Sequence, residues 1–143
     1  MKLKKVPYQR LNSRQKENFN FQKVSAILAD YGFVTFRLSD DRQGADFIAL
    51  HINGDVLRVQ LKSRLTFSKK YEGKGLHVAF GSKSSWYLYP LDELLGEFLS
   101  STTMGSTTSW RQHGAYSFPR LSEKHLSRLE PFRISGDAKP LPE

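Results

Sequence analysis

Two short stretches of this chain hold residue types that could do chemistry together. Gly44-Ala45-Asp46 opens one apolar run and Gln60-Leu61-Lys62 closes the next, so an acid, an amide and an amine fall near one end of two neighbouring segments. In an extended strand, residues two apart project from the same face. Gln60 and Lys62 therefore share one face, and Leu57, Val59 and Leu61 share the other. A carboxylate and an amide oxygen are hard donors, and an ammonium is a fixed positive charge. Their grouping at the end of an apolar strand marks a polar site. The plainer account is an ion pair between Asp46 and Lys62 at a sheet edge.

The elements that must position them follow from the pattern. Asn12 or Ser13 offers an N-cap oxygen before a helical run to about Tyr31, which stops at Gly32. Phe21, Val24 and Leu28, with Ile27 and Tyr31 beside them, form its apolar stripe. At 100° per residue Glu17 lies within about 40° of that stripe, on the core-facing side. Strands are expected at Phe33 to Leu38, Asp46 to Ile52 and Val56 to Lys62, with Asn53-Gly54 signalling a hairpin between the last two. Ser63 to Gly75 reads as a basic loop. Leu76 to Phe80 and Trp86 to Tyr89 complete a sheet of about five strands, and Leu91 to Leu99 and Ser122 to Leu129 read as short helices around a flexible Ser/Thr-rich loop, Ser100 to Ser109.

The hairpin turn decides whether the trio can meet. A two-residue Asn53-Gly54 loop would pair Asp46 with Leu61 and turn the acid away from Gln60 and Lys62. A three-residue turn ending in a glycine bulge restores the shared face. A joint site requires that turn.

A length of 143 residues fits one domain, with 135–143 expected as a flexible C-terminal tail. Twenty-two Lys and Arg against 14 Asp and Glu leave a net charge of +8, which suits a polyanionic partner. The absence of cysteine excludes disulfides, thiolate metal sites and cysteine nucleophiles. No apolar run is long enough for a membrane span, and no signal-peptide segment is seen, so no membrane association and a cytoplasmic location are expected.

The order helix, strand, strand, strand over residues 13–62, with Asp46 on one strand and Gln60-x-Lys62 on the next, resembles the PD-(D/E)XK nuclease superfamily, which includes restriction endonucleases and Holliday-junction resolvases. Ala45 replaces the Pro of that motif, and Gln60 stands where an acid is usual, as in some members. The resemblance implies an α/β restriction-endonuclease-like core over 1–134, with a mixed sheet flanked by helices. It also implies a Mg2+- or Mn2+-dependent endonuclease that hydrolyses phosphodiester bonds of nucleic acid, with DNA the expected substrate. Asp46, Gln60 and, from the first helix, Glu17 would hold the cation, and Lys62 would orient water and stabilise transition-state charge. An amide brings no negative charge, so cation affinity must lean on the acids. A first-turn Glu favoured by the helix dipole is the alternative for Glu17. A homodimer is expected, because one centre per chain cannot cut both strands of a duplex.

Arg64, Lys69, Lys70 and Lys74, with Tyr71 among them, form a basic loop suited to phosphates and to base stacking. A solvated charge run explains it equally. Asp40 and Asp41 precede Gly44 within reach of a metal at Asp46, and a turn with Asx capping explains them as well. His51, His77, His113 and His125 lack ligand spacing and read as surface or satisfied groups, and Trp86, Tyr87 and Tyr89 read as sheet core. Two competing functions remain: a nucleic-acid-binding module on the same fold without catalysis, which Gln60 favours, and a protein-interaction subunit.

Overall fold

The computed structural model describes residues 1–82 and 85–135, without the side chains of Asp41 and Arg42. The expected tail 135–143 lies outside the described residues except for Ser135. The chain folds as a mixed α/β structure around a six-stranded, mostly antiparallel sheet.

Helix α1 (Ser13–Asp30) starts at a capping box in which the Asn12 side chain accepts from the Gln15 N–H and the Gln15 side chain accepts from the Asn12 N–H. Strands β1 (Phe33–Arg42), β2 (Ala45–His51) and β3 (Val56–Lys62) form an antiparallel meander. Two further strands, β5 (Leu76–Ser82) and β6 (Ser85–Pro90), extend it, and β3 and β5 pair in parallel. The connection between them carries β4 (Leu65–Ser68) and a 3-10 turn, Lys69–Tyr71. The expected loop from Ser63 to Gly75 is therefore partly a strand. Leu65 and Phe67 alternate into the core, and β4 finds its partner far away in sequence, in β7 (Ala115–Phe118). Such pairing leaves no local signal. Helices α2 (Leu91–Ser101) and α3 (Glu123–Leu129) follow the expected bounds closely, and β8 (Arg133–Ile134) makes the sixth sheet member.

Each sheet face carries its own core. On one side Val24 and Leu28 of α1 pack against Phe47, Ala49, Val59 and Ala79. On the other, Val78, Phe80, Tyr87 and Tyr89 meet Leu94, Leu95 and Phe98 of α2, with Phe67 and Phe118 of the small sheet. The period of two along β5 and β6 divides their side chains between the layers. Tyr31, expected in the helix stripe, is exposed: it is the C-cap that follows α1, and its hydroxyl accepts the Ser135 N–H. The expected flexible loop from Ser100 to Ser109 instead holds a 3-10 turn with a buried Met104, and Trp110 in the next turn is buried as well. Two large apolar side chains anchor it.

Candidate active site

The β2–β3 turn sets the geometry. His51 N–H donates to the Asp55 carbonyl at 2.8 Å, and Ile52-Asn53-Gly54 makes a three-residue loop with Gly54 at φ +97°. Only glycine takes that conformation without strain. The ladder then pairs Leu50 with Val56 and Phe47 with Val59, which brings Asp46 level with Gln60. The odd-numbered turn that a joint site requires is present.

Asp46 lies just past the last of these pairs. Its Oδ2 accepts the Leu61 N–H at 2.7 Å, so a carboxylate takes the place of a strand carbonyl. That bond orients Asp46 at the end of β3. Asp46, Lys62 and Glu17 line one cavity of about 490 Å3, bounded by α1 and the ends of β1 to β3. Gln60 does not line it. The side chain is buried, with 4% exposure, and its Nε2 lies against Gly44, where an added Cβ would come within 2.8 Å. Gly44 has φ +88°, and the same Cβ would meet the Tyr71 ring at 2.7 Å. Gly44 therefore serves the Gln60 layer twice, by conformation and by close approach.

Glu17 faces the cavity but not the core: its side chain is 69% exposed, and its carboxylate stands 3.8 Å from the Arg37 guanidinium. The expectation that it lies on the core-facing stripe is corrected. Angular proximity to Phe21 does not bury a residue one turn before the sheet begins to cover α1, and Arg37 satisfies its charge at the surface. Arg37 in turn donates to the Asn18 side chain and sits over the Phe21 ring at 5.5 Å.

The basic loop lies elsewhere. None of Arg64, Lys69, Lys70, Tyr71 and Lys74 lines the Asp46 cavity. Lys69 stands over Trp110 at 5.0 Å and Lys70 over Tyr71 at 4.8 Å, and Arg64 borders a separate cavity with Phe80 and Arg120. Tyr71 is half-buried against the core and Gly44, so its ring is not an open stacking surface. Composition showed the charges but not the aromatic partners that engage them.

His51 and His125 accept backbone N–H bonds through Nδ1, from Asn53 and Ser122. His77 departs from the expectation of a satisfied group: its Nδ1 is buried without a partner among the described residues, and burial lowers its pKa, opposed by Glu93. Among the described residues no group of three or more His, Cys, Asp or Glu could hold a metal ion. The carboxylates that share the cavity with Lys62 are those of Asp46 and Glu17, and the Gln60 amide stands behind its wall. Such a set fits a hard cation that keeps several of its waters, as Mg2+ does, better than one needing a full protein cage.

Sequence reasoning missed Tyr8, Lys16 and Asn20, which also line the Asp46 cavity. Asn20 donates to the Tyr8 hydroxyl at 2.9 Å and fastens the segment before α1 to the helix. The basic character of residues 1–12 was the available signal.

No protein-family model and no curated protein matches the chain. Among solved structures, that of a bacterial homing endonuclease, I-Ssp6803I, aligns with 79% of this chain and 79% of its own at 14% identity and a TM-score of 0.44. No helix among the described residues is long and apolar enough to cross a membrane.

Proposed function

We propose that this chain is a Mg2+- or Mn2+-dependent nuclease of PD-(D/E)XK type that hydrolyses phosphodiester bonds of nucleic acid, DNA being the expected substrate. The observation that carries the reading is the convergence of Asp46, Lys62 and Glu17 on one cavity, produced by the three-residue turn and by the bond from Leu61 to Asp46. An ion pair alone needs neither a cavity nor a carboxylate pinned by backbone.

Asp46 and Glu17, which line the cavity, are the residues that would hold the cation, and the Gln60 side-chain oxygen would join them only by turning from its buried position toward Asp46. When bound, that cation supplies Lewis acidity at the phosphoryl oxygen and activates water. Lys62 orients the attacking water and neutralises charge that grows on the phosphoryl oxygens in the transition state. The Leu61 N–H keeps Asp46 in one orientation, so the site needs little rearrangement during reaction. Arg37 holds Glu17 at the rim and adds a positive charge on the substrate side. A homodimer would give two such centres to one duplex.

The second reading is a nucleic-acid-binding module on the same scaffold without catalysis. The buried, uncharged Gln60 favours it, because two carboxylates alone hold a divalent cation weakly. Incubating the purified chain with single-stranded and duplex DNA and with RNA, in Mg2+, Mn2+ or chelator, beside Asp46→Asn, separates the two. Metal-dependent cleavage that Asp46→Asn abolishes supports the nuclease. Binding without cleavage in any metal supports the module.

A further inference from the structure

The chain's positive charge is not spread evenly. Residues 1–23 contain seven Lys and Arg, at positions 2, 4, 5, 10, 14, 16 and 23, and a single acid, Glu17. This stretch thus carries six of the eight net charges. Its side chains wall two adjoining cavities. The Asp46 cavity shares Tyr8, Asn20, Lys62 and Ser63 with a second one, of about 480 Å3, which runs on past Lys23 and Phe19 to Trp86. Together they form a trough beside α1, with Lys62 at the point where the two halves meet.

Cations and aromatic rings alternate along the trough. Lys16 stands over the Tyr8 ring at 5.4 Å and Lys23 over the Phe19 ring at 5.2 Å, and the two rings meet edge to face at 5.2 Å. Positive charge that follows a backbone, interleaved with flat rings, is the combination that binds single nucleic-acid strands without regard to sequence. A membrane surface needs no trough, and an acidic peptide gives the rings no flat partner.

We infer that this trough along α1, and not the basic loop Arg64 to Lys74, is the track for a single nucleic-acid strand, with phosphates on Lys16 and Lys23 and a base against the Tyr8–Phe19 pair. The inference deepens the nuclease reading by stating where the strand lies, and rests on it only for direction: the strand passes Lys62. The loop's Lys69 and Lys70 also stand over rings, Trp110 and Tyr71, but line neither half of the trough.

The test compares two double variants with the same change in net charge, Lys16→Gln with Lys23→Gln and Lys69→Gln with Lys70→Gln. Binding of a fluorescent single-stranded DNA oligonucleotide, and of its RNA counterpart, is read by anisotropy across a salt series in chelator, where no cleavage occurs. Thermal melting confirms that each variant is folded. The trough pair should weaken binding by at least about tenfold and lower the slope of log K against log salt by about 1.4, from roughly 0.7 per phosphate contact on a single strand. The loop pair should change the slope by much less. An equal or larger loss in the loop pair overturns the inference, as does an unchanged trough pair. Binding of the parent to anionic lipid vesicles as tight as to the oligonucleotide overturns it in favour of a membrane surface. Because the readout is binding in chelator, a chain that never cleaves can still support the trough, and a chain that cleaves can still refute it.

Discussion

The carboxylate of Asp46 accepts the backbone N–H of Leu61 at 2.7 Å, which ties an acid on β2 to the residue between Gln60 and Lys62 on β3. One bond therefore serves both the fold and the site. Asp46→Ala leaves a half-buried N–H without its acceptor and should cost about 1–3 kcal/mol. Asp46→Asn keeps an acceptor oxygen and should cost less than about 1 kcal/mol. Both should abolish cleavage. Urea denaturation beside a cleavage assay checks the split, and an Asn variant that cuts like the parent removes Asp46 from the chemistry.

Gly44 and Gly54 both have positive φ, but only Gly44 is crowded. A Cβ at Gly44 meets Tyr71 at 2.7 Å and Gln60 at 2.8 Å, while one at Gly54 meets nothing within 4 Å. Gly54→Ala should therefore cost only backbone strain, about 1 kcal/mol. Gly44→Ala should cost on the order of 2 kcal/mol or more, since strain adds to the displacement of packed side chains. Denaturation midpoints test the order, and equal losses would show that the Tyr71–Gln60 layer yields freely.

Gln60→Glu should make stability depend on divalent metal. A carboxylate at this buried position is costly alone and favourable beside a hard cation. Melting in chelator should fall below the parent, and added Mg2+ should restore more of it than in the parent. A variant that responds to Mg2+ no more than the parent does would place the cation away from Gln60.

The helix α3 cap should weaken with acid. His125 Nδ1 accepts the Ser122 N–H at 3.1 Å, and the Ser122 hydroxyl accepts the His125 N–H at 3.2 Å. Burial lowers the His125 pKa from its ordinary 6.5, and a protonated ring loses the acceptor. As pH falls the unfolded chain takes up this proton first. The contribution is thus complete above the unfolded value and is lost as pH falls from there through the lowered folded value. His125→Gln keeps an acceptor and cannot titrate, so it should lose less stability than the parent between about pH 7.5 and about pH 5. Equal losses would mean that the cap plays no part.

How much was legible in the sequence depended on the range of the interaction. Asn12, Gly32 and the apolar spacing of Val24 and Leu28 are local signals, and α1 follows them to within a residue. Asn53-Gly54 signalled the hairpin, and the need for a shared face singled out the three-residue turn over the two-residue one. Strand β4 and the anchored segment around Met104 and Trp110 escaped because their partners are distant in sequence and their composition is that of loops. At the site, Asp46 and Lys62 were legible from spacing. The tertiary contacts that hold Gln60 out of the cavity wall, bring Arg37 to Glu17 and turn the basic loop toward Trp110 were not.

On the proposed mechanism Lys62 acts on the reaction more than on binding, a difference that single-turnover cleavage by Lys62→Ala reads. Oligonucleotide affinity is measured on the same preparation. Lys62 is one of many cations, so binding should weaken mildly, with a salt slope reduced by about one unit or less. Cleavage should fall by at least about a hundredfold, because the charge it stabilises appears only in the transition state. A Lys62→Ala protein that cleaves at the parental rate would contradict the account, and the activity would then belong to another site.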